Sequence, residues 1–293
     1  SESCFVKDHH PGRCVLPGST GSDHCSRWVG GKRWLLPTVR DLVSGLDFRG
    51  YHEPFVGAGS IFFGLVPTGR VFLSDLNREL IDTYVSVASN YAEVSRKLER
   101  HPNTADHYYA IRSQSLRGHL ERAAAFIYLN HTSFNGIYRV NLDGQYNVPY
   151  GDRKHIRIPD RGHLRQVSQA LQGVRLSHSD FELCLRNVRR GDLVFLDPPY
   201  TVAHNNNGFI KYNQKLFAFD DQVRLLRTIK EIDNVGAYFI LTNAAHESIS
   251  DLFGVTGRCL ELTRRSAVSG KATSRGRARE LLFTNIPEKG DES

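Results

Sequence analysis

The chain has 293 residues, 40% of them apolar and 24% charged, with a formal net charge of +7. That profile fits a globular protein long enough for one large domain or a domain plus an insertion, and its charge favours a polyanionic partner. No apolar stretch approaches the ~18 residues of a membrane span, and the start, Ser1-Glu2-Ser3-Cys4, has neither the basic region nor the apolar core of a signal peptide. Five cysteines, an odd number, with Cys184 and Cys259 inside apolar segments, fit a reducing cytoplasm better than a disulfide scaffold.

Residues 1–25 read as a flexible leader. They hold Cys4, His9, His10, Cys14, His24 and Cys25 among Gly, Pro and Ser, but without a CxxC pair and at spacings too irregular for a zinc site. Trp28-Val29-Gly30-Gly31-Lys32 follows. Residues 51–56 look like a strand end that runs into Gly57-Ala58-Gly59-Ser60, with a helix expected over 61–66. A second strand, 71–74, ends at Asp75, and an amphipathic helix is expected over 77–90. Strand, glycine turn, helix, strand, acid is the nucleotide-binding half of a doubly wound sheet.

Residues 91–172 differ in character. Helical patterns dominate as far as Thr132, and then the segments 134–141 and 145–148 flank Asp143-Gly144, a strong hairpin signal. Beyond this stretch the alternation resumes. Strands are expected over 174–177, 193–196 and 238–242, with helices over 180–187 and 219–232. A final strand pair, 259–263 and 280–284, is joined by a Gly/Arg/Ser-rich loop, 269–279. The expected organisation is a catalytic domain from 26–90 and 173–286, an inserted subdomain at 91–172, and a tail at 287–293.

Asp197-Pro198-Pro199-Tyr200 is the most telling motif, because it closes the apolar run Leu193-Val194-Phe195-Leu196. Ligands of open α/β sheets bind at the carboxyl ends of strands. Proline fixes φ and restricts the residue before it, so a carboxylate, backbone carbonyls and an aromatic ring are delivered together. Such a set can grip an NH2 group between acceptors while a ring stacks on its base. The second strong signal is Glu53-Pro54-Phe55-Val56-Gly57-Ala58-Gly59-Ser60, where glycines allow close approach to a ligand and the following helix offers N–H groups. Asp75, eighteen positions after Gly57, is placed to accept from ribose hydroxyls. A phenylalanine before the turn and the lack of a third glycine favour adenosylmethionine over a dinucleotide.

The Asp-Pro-Pro-Tyr motif resembles that of the methyltransferases that modify exocyclic amines. With Trp28 and Lys32 ahead of the glycine turn and an insertion before the motif, the chain over about 27–286 resembles the Dam-type DNA adenine-N6 methyltransferases. The resemblance implies a Rossmann-like S-adenosylmethionine-dependent sheet with an inserted, mainly helical target-recognition subdomain carrying a β-hairpin. It implies a catalytic set of Asp197, Pro198, Pro199 and Tyr200. The methyl donor, S-adenosylmethionine, would be held by Trp28, Lys32, Pro54, Phe55, Gly57, Gly59, Ser60, Asp75, Asp180 and Phe181. By the match of Asn135-Gly136-Ile137-Tyr138-Arg139 and Asn147-Val148-Pro149-Tyr150-Gly151 to a DNA-contacting hairpin, Phe134, Asn135, Ile137, Arg139, Asn147 and Pro149 would contact DNA, with Arg139 reading a guanine. Asp152-Arg153-Lys154 departs from the family's basic and aromatic pair at this point, which bears on phosphate contacts and recognition sequence.

The implied function is transfer of a methyl group to N6 of a flipped-out adenine in duplex DNA, at a GATC-like site, with no metal required. The implied setting is a monomer in the cytoplasm of a prokaryote or the product of a phage, with a cognate restriction endonuclease as a further expected partner and no membrane association. Lys211 and Tyr212 are expected to close over the substrate, and the basic run Arg264, Arg265, Lys271, Arg275, Arg277 and Arg279 to grip DNA phosphates. The alternatives are an RNA base methyltransferase, a catalytically idle DNA-binding relative and, more remotely, a nicotinamide-dependent oxidoreductase.

Overall fold

A computed structural model describes residues 32–136, 139–140, 146–200, 217–265 and 277–288. Trp28, Ile137, the hairpin tip, Lys211, Tyr212 and residues 266–276 of the basic loop lie outside the described residues, as does the whole of 1–25.

Seven strands form one sheet: β1 (Gly50–Glu53), β2 (Arg70–Asp75), β3 (Arg175–His178), β4 (Leu193–Leu196), β5 (Tyr238–Ala244), β6 (Arg258–Arg265) and β7 (Arg277–Thr284). Their order is β3-β2-β1-β4-β5-β7-β6. The first five strands run parallel, and β7 runs antiparallel to both of its neighbours. All four residues of β4 are buried, as expected of a parallel strand covered on both faces. The order reverses between β1 and β4, and that switch point is where open α/β sheets place ligands. The sheet is therefore Rossmann-like, as expected.

The helices are α1 (Leu36–Val43), α2 (Ser60–Leu65), α3 (Arg78–Leu98), α4 (Ala105–Ser113), α5 (His119–Thr132), α6 (Arg161–Ala170), α7 (Phe219–Val235) and α8 (Glu247–Phe253). Several ends follow from local chemistry. Asn77 caps α3 by accepting from the Leu80 N–H at 3.1 Å, and Gly236, at φ 80°, takes the left-handed conformation that ends α7. Three elements differ from the expectations. β1 stops at Glu53, because residues 54–59 are given over to the turn. The helix expected over 180–187 is a 3-10 turn, Phe181–Arg186. α3 runs past residue 90 to Leu98, bending at Asn90, where φ −151° and ψ 62° interrupt the helix.

That bend falls at the point where the insertion is expected to begin. α3 packs against α5 and α6, α4 packs against α5, and one apolar cluster runs from Leu73 and Leu80 through Tyr108, Tyr128 and Leu164. A second cluster, with Phe181, Leu196, Leu225 and Phe253, fills the other side of the sheet. Outside the helices, the two limbs of the expected hairpin pair with each other. Ser133 bridges Tyr150, Val140 bridges Tyr146, and the Asn147 N–H donates to the Arg139 carbonyl at 3.1 Å.

At the amino end of β4, Asp192 is fully buried and gathers three partners. His52 Nε2 lies 2.9 Å from Oδ2, Arg70 Nη2 donates to Oδ1 at 2.9 Å, and the Arg189 N–H donates to Oδ2 at 3.0 Å. Gly50 is required here, since a Cβ would lie 2.7 Å from the Asp192 carboxylate. Burial alone would push the Asp192 carboxyl up, but the hydrogen bonds and the charges of His52 and Arg70 outweigh it and hold the group below its usual range. Removing one partner of such a cluster leaves buried polar groups without compensation. Asp192→Ala is therefore expected to lower the unfolding free energy by about 3–5 kcal/mol, read as an earlier urea midpoint.

Candidate active site

The carboxyl edge of the sheet gathers acids from three parallel strands: Glu53 at the end of β1, Asp75 at the end of β2 and Asp197 immediately after β4. A fourth, Glu280, comes from the antiparallel β7, which brings it to the same edge by pairing it with Ala244 at the end of β5.

The turn after β1 is built for close approach. Gly57 (φ 46°) and Gly59 (φ 63°) both adopt left-handed conformations. A Cβ on Gly59 would meet the Phe63 ring at 2.8 Å, whereas one on Gly57 would meet nothing closer than the Phe55 carbonyl at 4.0 Å. The turn is tied to its neighbours. Asp75 accepts from the Gly57 N–H and the Asn77 N–H, each at 2.9 Å, and the Tyr84 hydroxyl donates to the Gly57 carbonyl at 2.8 Å. Burial raises the Asp75 carboxyl above its ordinary value despite those two N–H groups.

Glu53 lies beneath the turn, 2% exposed. It accepts from the Tyr51 hydroxyl at 2.6 Å and the Phe62 N–H at 3.1 Å. Burial pushes its carboxyl up to about 8. The two hydrogen bonds oppose that shift, and the nearby Asp197 and Asp75 carboxylates add to it. Three acids around an open glycine turn make a surrounding that suits a cationic ligand.

Lys32 reaches into this edge from the segment ahead of α1. Its Nζ lies 2.6 Å from Asp197 Oδ1, 3.0 Å from Glu280 Oε2 and 3.1 Å from Thr242 Oγ1. It also donates to the Tyr200 hydroxyl and sits 4.4 Å from the centre of the Tyr200 ring. Thr242 in turn donates to Asp197 Oδ1 at 2.9 Å, and the Tyr200 hydroxyl donates to Glu280 Oε2. Pro198 is buried and Pro199 partly so.

Asp180 and Phe181 open the 3-10 turn after β3. Phe181 stacks on Phe55 at 5.2 Å, which joins this turn to the glycine turn, and also packs on Phe217. Arg224 of α7 lies 4.8 Å above the Phe181 ring and donates to Asp180 Oδ1 at 2.9 Å, Glu182 Oε2 at 2.8 Å and Asp221 Oδ1 at 2.9 Å. The edge therefore brings together Lys32, Asp197 and Tyr200, and separately Pro54, Phe55, Gly57, Gly59, Ser60 and Asp75, with Asp180 and Phe181 alongside.

The hairpin residues form a distinct group. Phe134, Asn135, Asn147 and Pro149 are exposed side by side, with the Phe134 N–H donating to the Pro149 carbonyl at 2.9 Å. Asn135 takes a left-handed conformation at φ 54°, which asparagine tolerates better than most residues. Arg139 Nε donates to Asn147 Oδ1 at 2.8 Å. Behind this surface, the Tyr108 hydroxyl and Arg112 both donate to the Val148 carbonyl. Arg153 is turned inward, donating to the His131 and Ser133 carbonyls at 2.7 and 3.2 Å, where its charge also suits the carboxyl end of α5.

Four polar residues of the edge were not singled out from sequence: Glu53, Arg224, Thr242 and Glu280. Glu53 stands in the quoted glycine block and Glu280 begins an expected strand. Glu280, Leu282 and Thr284 alternate onto one face, so an acid there is the one signal that pointed inward.

The chain was then compared with known proteins. A family model described as D12 class N6 adenine-specific DNA methyltransferase matches residues 28–266. The type II methyltransferase M1.LlaDCHI of Lactococcus lactis subsp. cremoris is 33% identical over 271 residues, covering 89% of this chain and 94% of that protein. The type II methyltransferase M.MjaIII of Methanocaldococcus jannaschii is 32% identical over 253 residues, 78% and 85% of the two chains. The DNA adenine methylase of Escherichia coli K12 is 31% identical over 206 residues, 68% and 72% of the two chains.

The raised Glu53 carboxyl carries a pH signature. The folded protein keeps a proton that the unfolded chain releases above about 4.5, so this stabilisation is complete below that pH and is lost as pH rises through about 8. Glu53→Gln cannot ionise. It is expected to melt at nearly the wild-type temperature at pH 5 and about 3 °C or more above it at pH 8.5. A thermal melt series in the absence of donor measures this, and a difference independent of pH would refute the assignment.

Proposed function

The chain belongs to the D12 class of N6 adenine-specific DNA methyltransferases, and from that premise we propose that the transfer takes place at the carboxyl edge of the sheet with Asp197 and Tyr200 at its centre. The observation that carries this reading is the convergence of Asp197, Tyr200 and Lys32 on one point beside the glycine turn.

S-adenosylmethionine, the methyl donor of this class, supplies an electrophilic methyl group on a sulfonium. The residues present fit such a molecule: an open turn at Gly57, acids around it that suit a sulfonium and an ammonium, and a lysine for a carboxylate. Asp75 accepts from ribose hydroxyls. Phe181 and Asp180 border the adenine, with Asp180 held in place by Arg224, and Trp28 covers it. Pro54, Phe55, Gly59 and Ser60 shape the turn. Because the sulfonium already activates the methyl group, the chemistry calls for no metal.

The N6 lone pair of adenine is delocalised into the ring, and deprotonating the amine first lies beyond the reach of a carboxylate. Asp197 and a backbone carbonyl, that of Pro198, therefore hold the NH2 as acceptors. They favour the charged amine that forms as the N–CH3 bond is made and the C–S bond breaks with its electron pair staying on sulfur, which is stabilisation specific to the transition state. The surplus N6 proton then passes to Asp197 or to water. Holding the nitrogen in line with the methyl supplies the orientation term. Tyr200 provides the stacking face for a base turned out of the duplex. Lys32 sits at the Tyr200 hydroxyl and on the Asp197 oxygen in the structure, so amine and ammonium compete for one acceptor. The donor's carboxylate offers Lys32 its alternative partner.

The segment 91–172 is the target-recognition unit in this reading, and 26–90 with 173–286 the catalytic one. Phe134, Asn135, Ile137, Asn147 and Pro149 face the duplex, and Arg139 reads a guanine in a GATC-like site. Arg153 is committed to the base of the hairpin, so phosphate contacts fall to other residues, the basic loop among them. The enzyme acts as a monomer on duplex DNA in the cytoplasm of a prokaryote or of a phage's host. Two of the relatives named above are type II methyltransferases, which supports a cognate restriction endonuclease as partner.

The test is transfer of labelled methyl from S-adenosylmethionine to unmethylated DNA, with a structured RNA in parallel and the modified base identified by mass. N6-methyladenine in DNA is expected, with Asp197→Ala slower by about 10²–10³-fold or more. Label entering only RNA would overturn the DNA reading. Arg139→Ala is expected to lose about 1–3 kcal/mol of discrimination at one position of the site, measured by comparing initial rates on the cognate site and its single-base variants.

A further inference from the structure

Glu280 is the one carboxylate at this edge that comes from the antiparallel strand, and the reaction as derived makes no use of it. It is 3% exposed, in a position where an unpaired charge would be expensive. Its Oε2 accepts from the Tyr200 hydroxyl and lies 3.0 Å from Lys32 Nζ. β7 holds it rigidly, since the strand is paired on both sides, to Ala244 of β5 and to Leu262 of β6. Tyr200, by contrast, lies beyond the end of β4 and belongs to no strand of the sheet. Its hydroxyl is therefore tied to a carboxylate in the middle of a three-stranded ladder, and it also accepts from Lys32, which reaches Asp197.

An aromatic side chain rotates about two bonds, and stacking orients a base only when the ring is held in one plane. A charge-assisted hydrogen bond from the ring's far end supplies that constraint. We propose that Glu280 is a positioning residue for methyl transfer, fixing the plane of Tyr200 through its hydroxyl so that a stacked base presents its amine to Asp197. This deepens the reading given above and rests on its assignment of Tyr200 as the stacking face. Glu280 touches neither base nor donor in this scheme. Its contact with Lys32 is a separate role, and the test must tell the two apart.

The experiment is single-turnover methyl transfer to unmethylated DNA by the full chain, comparing wild type, Glu280→Gln, Tyr200→Phe, the double variant and Tyr200→Ala. Glu280→Gln keeps shape and volume, and Tyr200→Phe keeps the ring while removing the hydroxyl. Each is expected to slow the chemical step by about tenfold or more, as loss of a hydrogen bond to a charged group implies. That loss should fall on kcat rather than on KM for DNA. The double variant should be no more than about twofold slower than the slower single one, because both changes remove the same charge-assisted bond, Glu280→Gln leaving only a neutral acceptor and Tyr200→Phe no donor. A wild-type rate in either single variant, or losses that multiply in the double, would overturn the proposal; multiplying losses would show Glu280 acting through Lys32. If Glu280→Gln fails to fold, Tyr200→Phe decides alone: slow supports the proposal, wild-type speed refutes it. Tyr200→Ala separates the two levels. If it transfers normally, the stacking role itself is wrong. If it alone is inactive, stacking stands and only the role of Glu280 fails.

Discussion

A single ammonium holds the carboxyl edge of the sheet together. Lys32 lies within 3.0 Å of oxygens from Asp197 and Glu280, two carboxylates carried by strands of opposite direction. Without a cation between them, two such acids at close quarters would repel. With it, Asp197, Thr242, Tyr200 and Glu280 form one connected network that spans β4, β5 and β7. The residue that organises this network stands outside the sheet, ahead of α1, so the N-terminal segment is part of the site rather than an approach to it.

The switch point between β1 and β4 explains why the remaining groups gather there. Parallel strands deliver their last residues to one edge, so Glu53, Asp75 and Asp197 arrive together without any loop having to fold back. The glycine turn fills the gap between β1 and α2, and its two left-handed glycines let the backbone bend where other residues would be strained, Gly59 also leaving room for the Phe63 ring. Beneath it, the raised carboxyl of Glu53 means that one acid of the cluster is kept neutral by burial, which limits repulsion among its neighbours.

Much of this was legible in the sequence because it depends on local signals. The apolar run 193–196 ended at a proline pair, and the strand ended there in the structure. The glycine turn and the acid at the tip of β2 each carry their own conformational reason. The less legible parts depend on pairing across long separations. The position of Glu280 follows from β7 inserting between β5 and β6, and an isolated acid at a strand start does not reveal that. Arg224 meets Asp180 across forty-four residues, and its place in α7 looks like an ordinary charged helix position. The extension of α3 past residue 90 was hidden for a different reason: Asn90 interrupts the helical φ and ψ, yet packing against α5 and α6 carries the helix through.

The charge distribution carries one more step. The chain as a whole bears +7, which favours approach to a polyanion, yet the edge proposed for the chemistry sets three carboxylates, Asp75, Asp197 and Glu280, against one lysine, with Glu53 kept neutral. A phosphate backbone is drawn to the molecule's surface and repelled from its pocket. A neutral base meets no such barrier, and it gains acceptors and a stacking face once inside. The same acids that exclude phosphate favour the positive charge that develops on an amine as it is methylated. Attraction over the surface and rejection at the pocket thus act in the same direction, admitting the base of a nucleotide while keeping its backbone out.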